Sequence, residues 1–351
     1  MLKKRLLLAV CWCLVLCLCA CDGMLEQQES LPPDESFTSG IYSEPTEETD
    51  EESSFEESEH STSVEDEYSF EESLEESFEE AVGDEIISGD YGYILVEDVA
   101  HLSAYYGSET TVELPDELDG HSLTVITKTA FSGNDKIEEL KIGNGVVNVS
   151  EGAFDGCSAL KTIELGGNVA SMESSSFDRC PALEKIEVSS ANMYFSSVDG
   201  VLFNRDKSVL IRCPMGYSAE EYVIPSHTKT VGAYAFKKCS GIEKIEIGGC
   251  SLSEGSFFHC DNLSEISFTT AVKEIPDYCF FGSVMLTELV LEDGTESLGE
   301  YAFFGCVALE KLTLPESISY IADTAFDYCD ALSDVQTEGD YAEQWYEEFK
   351  K

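Results

Sequence analysis

The sequence comprises 351 residues and carries 70 Asp and Glu against 20 Lys and Arg, a formal net charge of -50. So acidic a surface repels phosphate backbones and anionic headgroups, which excludes nucleic acid and the bare membrane surface as partners. The 14 cysteines are unevenly placed, since Cys11, Cys13, Cys17, Cys19 and Cys21 all fall near the amino terminus.

Lys3, Lys4 and Arg5 precede an unbroken apolar run from Leu6 to Leu18. That run is too short for a comfortable bilayer span but has the length of a signal-peptide core. It ends in Leu18-Cys19-Ala20-Cys21, after which Asp22 and Gly23 turn the chain polar. This ending resembles the lipobox of bacterial lipoproteins, in which small residues precede an obligate cysteine. The resemblance implies that residues 1–20 are a lipoprotein signal peptide, cleaved before Cys21, and that the Cys21 sulfur receives a diacylglyceryl group. Two acyl chains hold a protein at a membrane where one is marginal. Lipid is then the expected membrane contact, and the location is the extracytoplasmic surface of a bacterium.

Residues 21–85 form a second region. From Met24 to Glu85 there is no Lys or Arg, and Glu, Ser and Asp dominate around spaced aromatics at Phe55, Tyr68, Phe70 and Phe78. Low hydrophobicity with dense like charge does not bury enough apolar surface to offset ordering entropy. The region is expected to be a disordered acidic stalk, extended by self-repulsion. A sharper alternative is an acidic binding tail with its aromatics as anchors.

Residues 86–351 are governed by an internal period. A phenylalanine preceded by a small residue recurs at Phe131, Phe154, Phe177, Phe236, Phe257, Phe280, Phe303 and Phe326. The steps are 23 residues except one of 59 and one of 21. Three residues after the anchor stands Cys157, Cys180, Cys239, Cys260, Cys306 or Cys329, with Asn134 and Ser283 as exceptions. Apolar residues recur six, nine and eleven places on, as in Leu160, Ile163 and Leu165, and five places before, as in Val149. The last part of each repeat alternates with period two, which predicts a short strand with one buried face. Stacked coils set such strands in parallel, roughly 4.7–4.9 Å apart. Eight anchors predict eight coils, with an irregular or short helical wall opposite the strands.

The segment Ala153-Phe154-Asp155-Gly156-Cys157-Ser158-Ala159-Leu160-Lys161-Thr162-Ile163-Glu164-Leu165 and its counterparts resemble the BspA-like leucine-rich-repeat proteins of bacterial surfaces. The resemblance covers about residues 89–351. It implies a right-handed leucine-rich-repeat solenoid of the α/β class, with repeats of about 23 residues, a parallel strand face and an irregular convex side. Residues 86–129, with Val112-Glu113-Leu114-Pro115, look like the family's amino-terminal cap. Residues 190–215, with Gly200-Val201-Leu202-Phe203, look like its β-hairpin insertion and account for the long step. Residues 338–351 alternate aromatic and acidic side chains at helical spacing and predict a closing helix. Family members are described as adhesins or interaction proteins.

Little else in the sequence carries chemistry. The ladder cysteines lack C-x-x-C spacing and a histidine cluster, so buried free thiols are expected rather than a metal site or disulfides. There is no Gly-x-Ser-x-Gly, P-loop or His-Glu-x-x-His, so no catalytic or cofactor-binding residue is assigned and the chain is expected not to be an enzyme. Two surfaces remain. The outward strand positions, such as Lys185, Glu187, Lys244 and Glu246, form a mixed-charge ladder. The residue just after the anchor is polar in most coils but Phe258, Phe281 and Phe304 in three consecutive ones. Those rings are the candidate ligand-binding strip, because contiguous exposed apolar surface marks interaction sites; the alternative is that they tuck between coils. The expected partner is an extracellular protein or glycoprotein bound at the cell surface, and an adhesive role is what the family resemblance implies. A structural or sensory envelope component and a carbohydrate-binding module are the other readings.

Overall fold

The structure, a computed structural model, describes residues 84–350. The signal segment, Cys21 and the stalk up to residue 83 lie outside the described residues, as does Lys351.

Each coil lays down one strand where period-two alternation predicts it. Thr162–Leu165 pairs in parallel with Glu139–Lys141 on one side and Lys185–Val188 on the other. Ile163 and Leu165 point into the coil and are fully buried, whereas Thr162 and Glu164 face outward. Burying one such aliphatic side chain contributes roughly 1.5–3 kcal/mol. The described residues make about ten turns of a β-solenoid. The two turns beyond the eight Phe-anchored ones carry Thr111–Glu113 and Glu221–Val223. They have no anchor Phe because other rings continue the column: Tyr105 lies 5.7 Å from Phe131, and Tyr222 lies 5.3 Å from Phe236.

A second ladder, in separate sheets, also runs from coil to coil. It consists of two-residue strands five to six places before the anchor, such as Asn148–Val149 beside Ser171–Met172. The convex wall, expected to be irregular, is itself hydrogen-bonded from coil to coil. Phe280 N donates to Ala302 O and Gly282 N to Phe304 O, both at 2.8 Å, and the same pair of bonds recurs along the stack. Two donors aim at the next coil because the residue two after the anchor adopts positive φ in all eight coils. Glycine supplies it in four, while Arg179, Lys238, His259 and Tyr328 adopt it at φ of 55–61°. This wall is therefore built from turns with one 3-10 helix, Ser174–Phe177.

The predicted hairpin is present as Phe195–Val198 and Val201–Asn204, and a third strand extends it. Asp199 and Gly200 form the turn, with φ of 53° and 82°. Left-handed values at both central residues match the right-handed twist of the paired strands. The third strand, Val209–Arg212, pairs antiparallel with the second and then parallel with Thr230–Val231. The insertion is thereby spliced into the solenoid instead of projecting from it. The amino-terminal meander Ile86–Ser88, Tyr91–Val96 and Val99–Tyr105 joins His121–Ile126 by the same plan. At the other end the helix Asp340–Phe349 sets Trp345 5.4 Å from Phe326, and Tyr341 accepts a 3.0 Å hydrogen bond from Ile321 N.

The insertion divides the core. One apolar cluster runs from Tyr93 to Leu202 and a second from Val201 to Ala342. The anchor rings stack within each part, for instance Phe257 on Phe280 at 5.0 Å and Phe280 on Phe303 at 5.4 Å, each nearly parallel. At the seam sits Arg212, 1% exposed. Its Nη2 reaches Asp178 Oδ1 at 3.3 Å and its Nη1 donates to Tyr234 O at 3.1 Å. Lys237 Nζ binds the other Asp178 oxygen at 2.7 Å.

The ladder cysteines are free and buried. Each thiol has a definite acceptor. Cys157, Cys180, Cys260 and Cys329 donate to the carbonyl of the preceding coil's anchor Phe at 3.0–3.2 Å. Burial pushes the Cys260 and Cys306 thiols up; for Cys157 the neighbouring Cys180 thiol is the first cause and burial the second. These groups stay protonated and inert. Ser283 occupies the same position, fully buried, and its Oγ has no partner. An unsatisfied buried hydroxyl costs about 1–3 kcal/mol. Ser283→Cys is accordingly expected to stabilise the fold by about 1 kcal/mol, read as a raised denaturation midpoint at unchanged m-value. An unchanged or lowered midpoint would mean that the hydroxyl is not a liability.

Candidate functional site: a convex aromatic ridge

The residue just after each anchor stands between the two convex-wall hydrogen bonds, so its backbone is committed to the neighbouring coil. Three consecutive phenylalanines there form one stack: Phe258 and Phe281 lie 4.9 Å apart with 15° between planes, and Phe281 and Phe304 lie 4.7 Å apart with 5°. Tyr328 continues it at 4.8 Å from Phe304, tilted by 56°.

The strip is not uniformly exposed. Phe258 is 4% exposed, because Tyr234 packs edge-on against it at 5.8 Å and His259 at 4.7 Å. Phe281 and Phe304 are half-buried. Tyr328 is 62% exposed, and Met285 and Val307 on the same coils are 51% and 41% exposed. The accessible ridge therefore shifts towards the carboxyl end and gains Tyr328, with Phe258 as its covered foot. A second aromatic row lies alongside, where Tyr278 and Tyr301 stack at 5.2 Å and touch Phe281 and Phe304 at 6.1 and 5.8 Å. Burial raises the phenol pKa of Tyr278, with nearby Tyr301, Glu254, Glu300 and Asp277 adding to it. The tyrosine row was legible in the same alignment two places before the anchor, but a tyrosine there does not announce that its ring leans towards the next position.

The strand face offers less. Lys244 lies 3.2 Å from Glu265 and 3.7 Å from Glu221, Lys311 lies 3.7 Å from Glu288, and Lys141 lies 2.9 Å from Glu113. These are exposed pairs of a kind that contributes about 0–1 kcal/mol each. A groove of about 580 Å³ opens at one edge of this face between Glu113, Asp116, Lys141 and Asn144. Its polar groups are already engaged in joining coils, since Asp116 accepts from Gly145 N at 2.9 Å and Asn144 from Gly167 N at 2.8 Å. Among the described residues no group of three or more His, Cys, Asp or Glu is placed to hold a metal ion, and no helix is long and apolar enough to cross a membrane.

Parallel strands one coil apart, an inward aromatic column and a buried thiol ladder define a leucine-rich-repeat solenoid. The chain belongs to the family described as the BspA type leucine-rich repeat region, which matches it in six copies over residues 104–204 and 213–333. Among solved structures it is similar to a leucine-rich cell surface protein from Faecalibacterium prausnitzii, at 18% identity and a TM-score of 0.48, over 75% of this chain and 97% of that one. It is also similar to the pneumococcal vaccine antigen PcpA, at 19% identity and a TM-score of 0.45, over 74% and 88%. A leucine-rich repeat protein from Bacteroides ovatus aligns at 21% identity and a TM-score of 0.48, over 74% and 71%. No curated protein matches at a significant level.

Proposed function

We propose that the chain is a bacterial surface lipoprotein that binds an extracellular protein or glycoprotein through the carboxyl-terminal part of its convex ridge, in the manner of an adhesin. The observation that carries this reading is the stacked apolar row of Phe281, Phe304 and Tyr328, with Met285 and Val307 exposed on two of the same coils, since soluble proteins rarely leave such patches without a partner. No residue is assigned a catalytic or cofactor role. The purified chain, screened against matrix proteins, mucins and glycans, is expected to show saturable binding that Phe281→Ser/Phe304→Ser weakens at least tenfold, a loss of the size that hot-spot truncations give. Binding that survives the double substitution would move the site to the strand face or the insertion. Binding to resident envelope proteins alone would favour a structural or sensory role instead.

Carbohydrate capture fits the ridge less well. Sugars stack on ring faces, and here the faces of Phe281 are covered by Phe258 and Phe304. The ridge presents ring edges, which suit apolar side chains of a protein.

The anchor has its own test. Cells given an alkyne-tagged fatty acid are expected to label the chain at Cys21, and Cys21→Ser is expected to abolish label and membrane retention together. A labelled Cys21→Ser variant would remove the lipoprotein assignment.

A further inference from the structure

The ridge runs beside a row of carboxylates with the same one-coil period. Glu254, Asp277, Glu300 and Asp323 each stand three places before an anchor, and all four are exposed. The row begins beside the aromatics: Tyr234, which packs against Phe258, donates to Glu254 Oε1 at 2.7 Å, and Asp277 and Glu300 immediately precede Tyr278 and Tyr301 in the chain. Asp277 accepts from Glu300 N at 2.6 Å, which fixes one carboxylate against the next coil. The surroundings offer almost nothing to neutralise the row. Residues 251–340 hold eighteen Asp and Glu but only Lys273 and Lys311, while the other described basic residues lie almost entirely earlier in the chain. Those two lysines are spoken for, by Glu296 at 3.4 Å and Glu288 at 3.7 Å.

We infer that the ridge and its carboxylate row together dock an extended, cationic segment of a partner protein, with lysine or arginine alternating with apolar residues. This rests on the ridge being the binding surface, as proposed above. The geometry sets the pattern. One coil per step of roughly 4.8 Å makes the row about 14 Å long, the reach of four or five extended residues. An extended segment laid along the boundary points alternate side chains to opposite sides, so one set meets the carboxylates and the other meets Phe281, Phe304 and Val307. The tyrosine rings between them suit a guanidinium or ammonium as well. The charge complementarity steers encounter and rejects acidic partners.

The test uses the full chain and three labelled peptides sharing serine-glycine flanks: one alternating lysine with valine over six residues, one with serine in place of lysine, and one with glutamate. The lysine peptide is expected to bind, more tightly as salt is lowered, with the serine and glutamate peptides at least tenfold weaker. Asp277→Asn/Glu300→Gln/Asp323→Asn and, separately, Phe281→Ser/Phe304→Ser are each expected to weaken it roughly tenfold or more. Glu265→Gln/Glu288→Gln/Glu310→Gln, which removes as many exposed charges from the strand side, is expected to leave it within twofold. Equal loss in that control, no loss in the row variant, or no binding of the lysine peptide would overturn the inference. Equal, ridge-dependent binding of the serine peptide would also overturn it, yet would leave the ridge standing as a protein-binding surface.

Discussion

Asp178→Ala is expected to destabilise the fold by about 3–5 kcal/mol, the cost of stripping one partner from a buried ion pair. Arg212 is 1% exposed and Asp178 is the carboxylate that meets it, at 3.3 Å. The Arg212 Nε already lacks a hydrogen-bond partner, so the guanidinium has no slack with which to absorb the loss. Lys237 loses its 2.7 Å contact in the same step. The position matters because Asp178 belongs to the coil before the insertion, Arg212 to the insertion and Lys237 to the coil after it. The two apolar clusters meet here, so the substitution weakens the joint between them. In a solenoid, stability is close to a sum of coil and nearest-neighbour terms, and a weakened joint lets the parts melt separately. Denaturant unfolding of Asp178→Ala is expected to broaden or split, whereas the parent unfolds in fewer steps. Asp178→Ala/Arg212→Met is the companion variant. It removes both charges and is expected to recover most of the loss, since an apolar replacement of a buried pair is often neutral or stabilising. A loss below about 1 kcal/mol in the single variant would show that the pair is solvated enough to stand alone.

Phe280→Ala is expected to cost about 3–5 kcal/mol, the range for truncating a buried ring. Phe280 is fully buried and lies in the middle of its column, with Phe257 at 5.0 Å and Phe303 at 5.4 Å. Removing it forfeits two ring contacts of about 0.5–1.5 kcal/mol each beyond area burial, and opens a cavity between coils. The neighbouring coils are held against closing the gap: towards Phe303 the strands Glu288–Val290 and Lys311–Leu314 are paired and Phe280 N donates to Ala302 O, and towards Phe257, where the strand ladder is interrupted, Phe257 N donates to Cys279 O, each bond at 2.8 Å. Phe281→Ala is the control: its ring is half-buried on the convex side, so its loss should be clearly smaller. Chemical denaturation of both variants decides the matter. Equal losses would mean that the outer stack supports the fold as much as the inner one, and the outer ridge would then be a structural device.

The period of the anchors, the apolar positions six, nine and eleven places on, and the small residue before each Phe are local regularities. Each coil repeats the same contacts with its neighbours, so spacing alone determined parallel strands, inward rings and a stacked core. The insertion was legible as a departure from the period, and the closing helix from aromatic and acidic residues at helical spacing. What the sequence left open depends on contacts between coils or on non-repeating parts. Tyr105 and Tyr222 continue the ring column from outside the anchor register, so their coils escaped the count. The convex wall's hydrogen bonds follow from a positive φ that Arg179, Lys238, His259 and Tyr328 adopt without glycine to signal it. Arg212 and Asp178 are 34 residues apart and meet only because the insertion returns to the stack at that point. The same holds for the ridge: three consecutive phenylalanines named the place, but their exposure was decided by what packs beside them. Tyr234 and His259 cover Phe258, while Gly282 and Gly305 stand in the place of His259 beside Phe281 and Phe304, so burial is decided by the side chains packed beside each ring and not by its position in the repeat.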